Sequence, residues 1–461
     1  MKPFRASLLA VALCLAVTAC DRRAGADKKQ AAVKAKQSRL EWHRNSLVEA
    51  YRTNGFTGAA WDIPAEEALE LLAETRAGEN PQTAETRAAL EQALKNAVSA
   101  GCDDPLIGYL HVRYIISATT SDPLVYARAM GSAAEKLHAS DYNSLLKFFG
   151  FLRAAEASVV EIGPDNKIPP HVISYRFAAG TNLLDVLRDR TIPVADVLDT
   201  IEEWLPTARR SARQFAEDLK FMEPELANWG DAPVILLARA KLGVASAWNA
   251  RGTGYADSVT PEKWKVFNER LNAVKGHLDR AWKADPSDSR IATAMLDVAV
   301  GLSFDRAEME KWFALSMKLN SNNYAACEKK LHYLKPQWFG SDEEMVNFGR
   351  QCVSNSWGGS VPLTLLDAHR AIVAFLPQAQ QLPYWKQPVV WRDIDTAFKR
   401  FFELNPEAID YRHNYAWYAF HAGEMHLFKE QLSFFKGTNY SYFGGKQQFE
   451  AMVAKAQISV R

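Results

Sequence analysis

The sequence predicts an all-α chain built as a helical-hairpin, tetratricopeptide-like solenoid. Three observations carry that expectation. Helix-start signals recur along the chain, the apolar residues between them return at helical spacing, and the C-terminal half holds a weak repeat about one hairpin long. Strict alternation of apolar and polar residues, the mark of a half-buried strand, is scarce.

At the N-terminus, Lys2 and Arg5 flank the start of an apolar run of fourteen residues, Ala6 to Ala19, which leads into Cys20. That run suits a signal-peptide core and falls short of the roughly 20 residues a membrane-spanning helix needs. Residues 1–19 are therefore expected to be a signal peptide, and Cys20 the lipidation site of a bacterial envelope lipoprotein. Ordinary cleavage after Ala19 is the alternative. One acyl chain binds a membrane only marginally, at ~0.8 kcal/mol per buried methylene, so a diacylglyceryl cysteine is the anchor expected. Asp21 resembles an inner-membrane retention signal, which points to the periplasmic side of that membrane, with the outer membrane as the alternative. Residues 20–44 read as a polar basic tether: Arg22, Arg23, Lys28, Lys29, Lys34, Lys36 and Arg39 stand against Asp21 and Asp27.

The body is expected to comprise an N-terminal helical region, 45–255, and a C-terminal tetratricopeptide-like region, 256–461. Asp104-Pro105, Asp122-Pro123 and Thr260-Pro261 each pair a capping side chain with proline at the first helical position. Ser341 and Glu344 have the spacing of a capping box. Leu90, Leu94, Ala97 and Val98 share one helix face, as do Leu236, Ala240, Val244 and Ala247. Near 160–180, Gly163-Pro164 and Pro169-Pro170 suggest one short irregular or extended insertion, with Val172 to Phe177 as a short strand or loop.

The repeat lies further on. Residues 281–288 read Ala-Trp-Lys-Ala-Asp-Pro-Ser-Asp, and residues 316–323 read Ser-Met-Lys-Leu-Asn-Ser-Asn-Asn, 35 positions later. That offset is close to the 34 of tetratricopeptide repeats. Leu404-Asn405-Pro406 reads as a further repeat end. The aromatic density of 411–421 and of 439–445 suits either the cap of a solenoid or an interface.

Two segments carry a family resemblance. Residues 247–256, Ala-Trp-Asn-Ala-Arg-Gly-Thr-Gly-Tyr-Ala, are followed by Val259-Thr260, Trp264 and Phe267; residues 334–341, Leu-Lys-Pro-Gln-Trp-Phe-Gly-Ser, by Glu344, Met345 and Phe348. Together they resemble the bacterial family catalogued as domain of unknown function 4034, over roughly residues 45–370, with Phe339 in place of an expected glycine. The resemblance implies a helical, tetratricopeptide-like body and brings no activity with it. Read locally, Gly252 and Gly254 turn the chain, and the aromatic residues around them pack a helix joint. The functional alternative makes Trp248, Arg251, Tyr255 and Trp338 candidate binding residues.

The search for chemistry returns no catalytic residues, no metal ligands and no cofactor motif. His-Glu-x-x-His, Walker A, Gly-x-Gly-x-x-Gly and Gly-x-Ser-x-Gly patterns are absent. His413, His421 and His426 lack the i, i+4 spacing that aims two rings at one metal. Asp367 and His369, two apart on a helix, point away from each other. Cys327 and Cys352 are candidates for a disulfide in an exported compartment. Removing Lys2 and Arg5 from the 55 basic residues leaves 53 against 54 acidic ones, so no basic surplus invites nucleic acid. The expectation is a membrane-tethered scaffold or assembly and accessory factor that docks an envelope protein, an enzyme being the less favoured reading. The alternatives are a lipid-anchored enzyme or small-ligand binder with a pocket in 230–355, or a neutraliser or accessory of a secreted effector.

Overall fold

The computed structural model describes residues 33–78, 83–120, 122–162, 167–208, 212–435 and 437–458. Among them the fold is all-α, with no strand, and within each unit the helices pack against neighbouring helices, many of them as successive hairpins. The chain divides into two compact units, Met1–Gly230 and Asp231–Arg461. The signal peptide and Cys20 lie outside the described residues.

In the first unit, α1 covers 33–54, with a π turn at Asn45–Glu49. Then come α2 (Asp62–Ala77), α3 (Ala84–Ser99) and α4 (105–119), whose middle, Val112–Ile116, is again a π turn. Next follow α5 (Pro123–His138), α6 (Ser144–Ala157), α7 (Pro170–Arg188), α8 (Val194–Ala208) and α9 (Ala212–Ala227). The capping chemistry read from the sequence is in place. Asp104 accepts hydrogen bonds from the N–H of Leu106 (2.9 Å) and Ile107 (3.1 Å), and Asp122 from that of Leu124 (2.9 Å). The core holds Leu69, Leu94, Ile107, Tyr109, Phe148, Leu183, Ile201 and Phe215, all fully buried.

Two features differ from the sequence reading. Val172 to Phe177 are helical, not extended, because Pro170 stands at the first turn of α7, where its missing N–H costs nothing and its fixed φ favours the helix. And the tether does not extend to residue 44. From residue 33 the chain is helical, and Arg39 and His43 bond to Asp196 on α8.

The second unit runs α10 (Pro233–Arg251), α11 (Pro261–Ala284), α12 (Ser289–Gly301), α13 (Arg306–Leu319), α14 (Tyr324–Tyr333) and α15 (Asp342–Ser354). It continues with α16 (Thr364–Val373), α17 (Gln378–Trp385), α18 (Pro388–Leu404), α19 (Asp410–Ala422), α20 (Met425–Leu432) and α21 (Lys446–Ile458). Helices α10 and α11, which the sequence reading placed on either side of residue 255, form one hairpin of this unit. The two repeat segments sit at equivalent corners, the first between α11 and α12 and the second between α13 and α14. Asp288 caps α12 through the N–H of Arg290, and Asn323 caps α14 through that of Ala326. At the later corner Asn323 Nδ2 also donates to Thr293 Oγ1 (2.8 Å), tying one hairpin to the next. Helices α15 and α16 cross closely: a Cβ on Gly349 would lie 2.6 Å from the Leu365 Cα. The aromatic-rich C-terminal segment closes the unit. Phe428, Phe443, Met452 and Ala456 are buried together with Ala416 and Ala419.

Candidate functional site

Of the four candidate binding residues, the structure brings three together. Arg251, at the end of α10, is 7% exposed, and its guanidinium carbon lies over the rings of Trp264 (5.0 Å), Trp248 (5.5 Å) and Trp338 (5.8 Å). Its Nη1 donates to the carbonyl oxygens of Gly254 (3.0 Å) and Gly252 (3.2 Å). Gly252 takes φ +83°, a left-handed turn no side-chain-bearing residue adopts readily; Gly254 is not among the positive-φ glycines. Burial lowers the Arg251 pKa. Tyr255 stands apart, 73% exposed. The protein's own cation fills the aromatic cage, and the arrangement fastens α10 to the loop before α11 and to the turn after α14. A cation over an aromatic face contributes roughly 0.5–2 kcal/mol.

Other titratable candidates resolve into packing. Asp367 bonds to Tyr324 and Arg370, not to His369. His369 Nε2 instead lies 3.2 Å from Asp393 Oδ2, while its Nδ1 lies 2.8 Å from the Tyr384 hydroxyl. Arg350 grips the same carboxylate through Nε and Nη2 (3.0 and 2.8 Å). Burial works to raise the Asp393 carboxyl, but His369 and Arg350 outweigh it and hold the group below its usual range. Four residues on four helices thus fasten α15 to α18, beside a cavity of about 270 Å³. His413 stacks on Phe435, ring centroids 3.9 Å apart. Cys102, Cys327 and Cys352 are buried free thiols. Burial and the adjoining Cys352 thiol raise the Cys327 pKa, the contact with Cys352 being the larger cause.

An open apolar surface lies elsewhere, in the first unit, on residues outside those that the sequence singles out. Helix α7 buries Val172, Tyr175, Ala179, Leu183 and Val186 on one face, and this anchors it in the core. Its other face carries Ile173 and Phe177, 55% and 67% exposed, one helical turn apart. Helix α9 repeats the pattern: Phe215, Leu219 and Met222 point inward, and Phe221 is 60% exposed. Ile173, Phe177, Phe221 and Met222, together with Trp204 and Thr207 of α8, line a groove of about 790 Å³. Gly180 faces open space, since a Cβ there would meet nothing within 4 Å. Polar and charged groups rim it: Arg176, Arg188, Gln214, Glu217 and Asp218. Burial raises the Asp218 carboxyl. A helix with apolar residues on two faces, one buried and one in water, has a surface to cover. The signal was present in the sequence as the Ile173–Phe177 pair opposite Val172–Tyr175–Ala179. Reading the segment as extended scattered that pattern. In comparisons with known proteins, no family model matches the chain and no curated protein matches it.

Proposed function

We propose that this chain is an envelope lipoprotein, anchored by lipid on Cys20, that works as a docking scaffold for another envelope protein. The observation that carries the reading is the α7–α9 groove. Three large apolar side chains, Ile173, Phe177 and Phe221, stand in solvent around one hollow of about 790 Å³. Burying them recovers ~25 cal/mol per Å² of apolar area, which is the driving force for seating an apolar helix or extended segment of a partner. The charged rim of both signs orients that segment and excludes mismatched ones. The sequence reading of residues 1–20 supplies the anchor, and lipid attachment confines the groove to one membrane surface, raising the effective concentration of any partner there. No helix among the described residues is long and apolar enough to cross a membrane.

The test is site-specific photocrosslinking in intact cells. A crosslinking residue at position 177 or 221 is expected to give one discrete adduct with an envelope protein. The same residue at exposed Glu424, in the second unit, is expected to give none. The protein identified should bind the purified body directly, and Phe177→Asp should weaken that binding about tenfold. Absence of an adduct at both groove positions removes the docking reading.

A further inference from the structure

A second hollow of the first unit has a different chemistry. Four helices, α1, α2, α4 and α6, bring Arg39, Arg76, Arg113 and Arg153 to a cleft of about 500 Å³ that α8 also lines. Five carboxylates line it too, and the way they pair decides what the cleft can hold. Arg39 takes Asp196 through two bonds of 2.9 Å and Asp199 through one of 2.7 Å. Arg153 takes Glu156 (2.6 Å) and Glu203. Glu202 is engaged as well.

Arg76 and Arg113 remain, and among the described residues neither is joined to a carboxylate. Arg76 lies over the Phe149 ring (4.7 Å to its centroid). Arg113 donates from Nη1 to the Tyr109 hydroxyl (3.2 Å) and stands 5.5 Å from the Tyr114 ring. Both are half-buried. Burial, and then the neighbouring charge of Arg113, push the Arg76 guanidinium below its usual range. Arg113 acts in the same direction on Arg153. Arg76, partly desolvated beside a like charge, with an aromatic wall and no carboxylate bonded to it, costs free energy as it stands, whereas the burial of Arg113 is outweighed by Tyr109, Tyr114 and Glu203, which favour its charge. Arginine's planar fork matches the paired oxygens of carboxylate and phosphate groups. Arg113 and Tyr114 also sit in the π turn of α4, where the widened helix departs from its regular pattern. Such turns recur at functional sites.

We propose that Arg76 and Arg113 bind an oxyanion in this cleft, the phosphate or carboxylate group of a small ligand whose apolar part packs between Tyr114 and Phe149. The site is independent of the α7–α9 groove. Helix α8 borders both, but it offers Trp204 and Thr207 to the groove and Asp196, Asp199 and Glu203 to the cleft.

Isothermal titration of the purified full chain in detergent at low salt tests this, with phenyl phosphate and benzoate as probes and inorganic phosphate as the head group alone. Saturable binding of either aromatic probe, tighter than inorganic phosphate, is the expected result, and whichever binds names the oxyanion. Arg76→Gln and Arg113→Gln should each weaken it about tenfold, while Arg400→Gln in the second unit leaves it unchanged. Without ligand, Arg76→Gln should leave the melting temperature level or raise it, because a repulsion is removed. A purely structural arginine would lower it. If Arg113→Gln fails to fold, Arg113→Lys keeps the charge, loses the fork and should still weaken binding. No saturable heat with either aromatic probe at millimolar concentration overturns the site, as does binding that survives both glutamine variants.

Discussion

Arg39 and Asp196 are joined by two parallel hydrogen bonds, Nε to Oδ2 and Nη2 to Oδ1, each 2.9 Å long. The pair fastens α1 to α8 across a large loop of chain, and His43 Nε2 lies 3.0 Å from the same carboxylate. Burial works to raise the Asp196 carboxyl, but the bonds from His43 and Arg39 prevail and hold it below its ordinary 3.8. Burial, the largest influence on His43, lowers its pKa below the ordinary 6.5.

The signs of these shifts set a pH dependence. A histidine held neutral by the fold contributes fully above pH 6.5, and its contribution is lost as pH falls from there through its folded value. The depressed Asp196 contributes above 3.8 and is lost below that, as the carboxyl protonates in its turn. The first unit should therefore keep its melting temperature near neutrality, lose some below pH 6.5, and lose more below pH 4. His43→Gln should reduce the first decline and leave the second, the remainder of the first coming from His111, whose pKa burial also lowers. Asp196→Ala should cost roughly 3 kcal/mol at neutral pH, since it strands a partly buried guanidinium. Calorimetry from pH 7 to pH 3 checks both. A wild-type profile flat to pH 4 would contradict the His43 assignment.

The tryptophan cage predicts a stability effect without a binding effect. Arg251→Ala empties a space bounded by Trp248, Trp264 and Trp338 and should cost about 2 kcal/mol. Arg251→Met keeps most of the volume and loses the two bonds to the glycine carbonyls, so its cost should be smaller, near 1 kcal/mol. Urea unfolding followed by tryptophan fluorescence gives both values. Neither substitution should change the crosslink formed at position 177. A loss of that crosslink at unchanged stability would make the cage a recognition site after all.

What could be read from the sequence follows the range of each interaction. The caps at Asp104, Asp122, Thr260 and Ser341 involve partners two or three residues away, so the residue types alone declare them. The hairpin corners at Asp288 and Asn323 were legible for the same reason. Val172 to Phe177 are helical where Pro169-Pro170 suggests a break, because proline at a first helical position starts a helix. The pairings Arg39–Asp196 and His369–Asp393, and the meeting of Arg76 with Arg113, depend on which helices stack. That is settled by side-chain packing across the whole unit and leaves no spacing in the chain. The Trp248–Arg251–Trp338 cluster was found because two dense local motifs happened to mark it, but its role follows only from the cation at its centre.

The repeat corner offers a sharper test of the helical-hairpin reading. Asn323 caps α14 through its Oδ1 and reaches Thr293 through its Nδ2, and it is buried. Asn323→Ala removes a cap and leaves the Thr293 hydroxyl with one partner fewer, a loss of about 1–2 kcal/mol. Asn323→Asp keeps the cap and removes the donor, so it should cost more than a plain cap replacement spares. Denaturant midpoints of the two variants separate capping from hairpin-to-hairpin bonding.

The anchor is the last prediction, and it bears on everything proposed for the groove. If Cys20 carries lipid, Cys20→Ala should leave the chain unprocessed by the lipoprotein peptidase or release it from the membrane fraction. Mass spectrometry of the mature N-terminus and a high-salt wash distinguish these results from adsorption through the basic residues 22–36. The salt wash matters because each basic residue near an anionic surface contributes about 1 kcal/mol, a contribution that salt screens, whereas buried acyl chains are indifferent to salt. A released Cys20→Ala body that still binds the crosslinked partner in solution would show that the groove supplies recognition and the lipid supplies only proximity. A variant that stays fully processed and salt-resistant on the membrane would remove the lipid anchor and leave the groove to be tested without it.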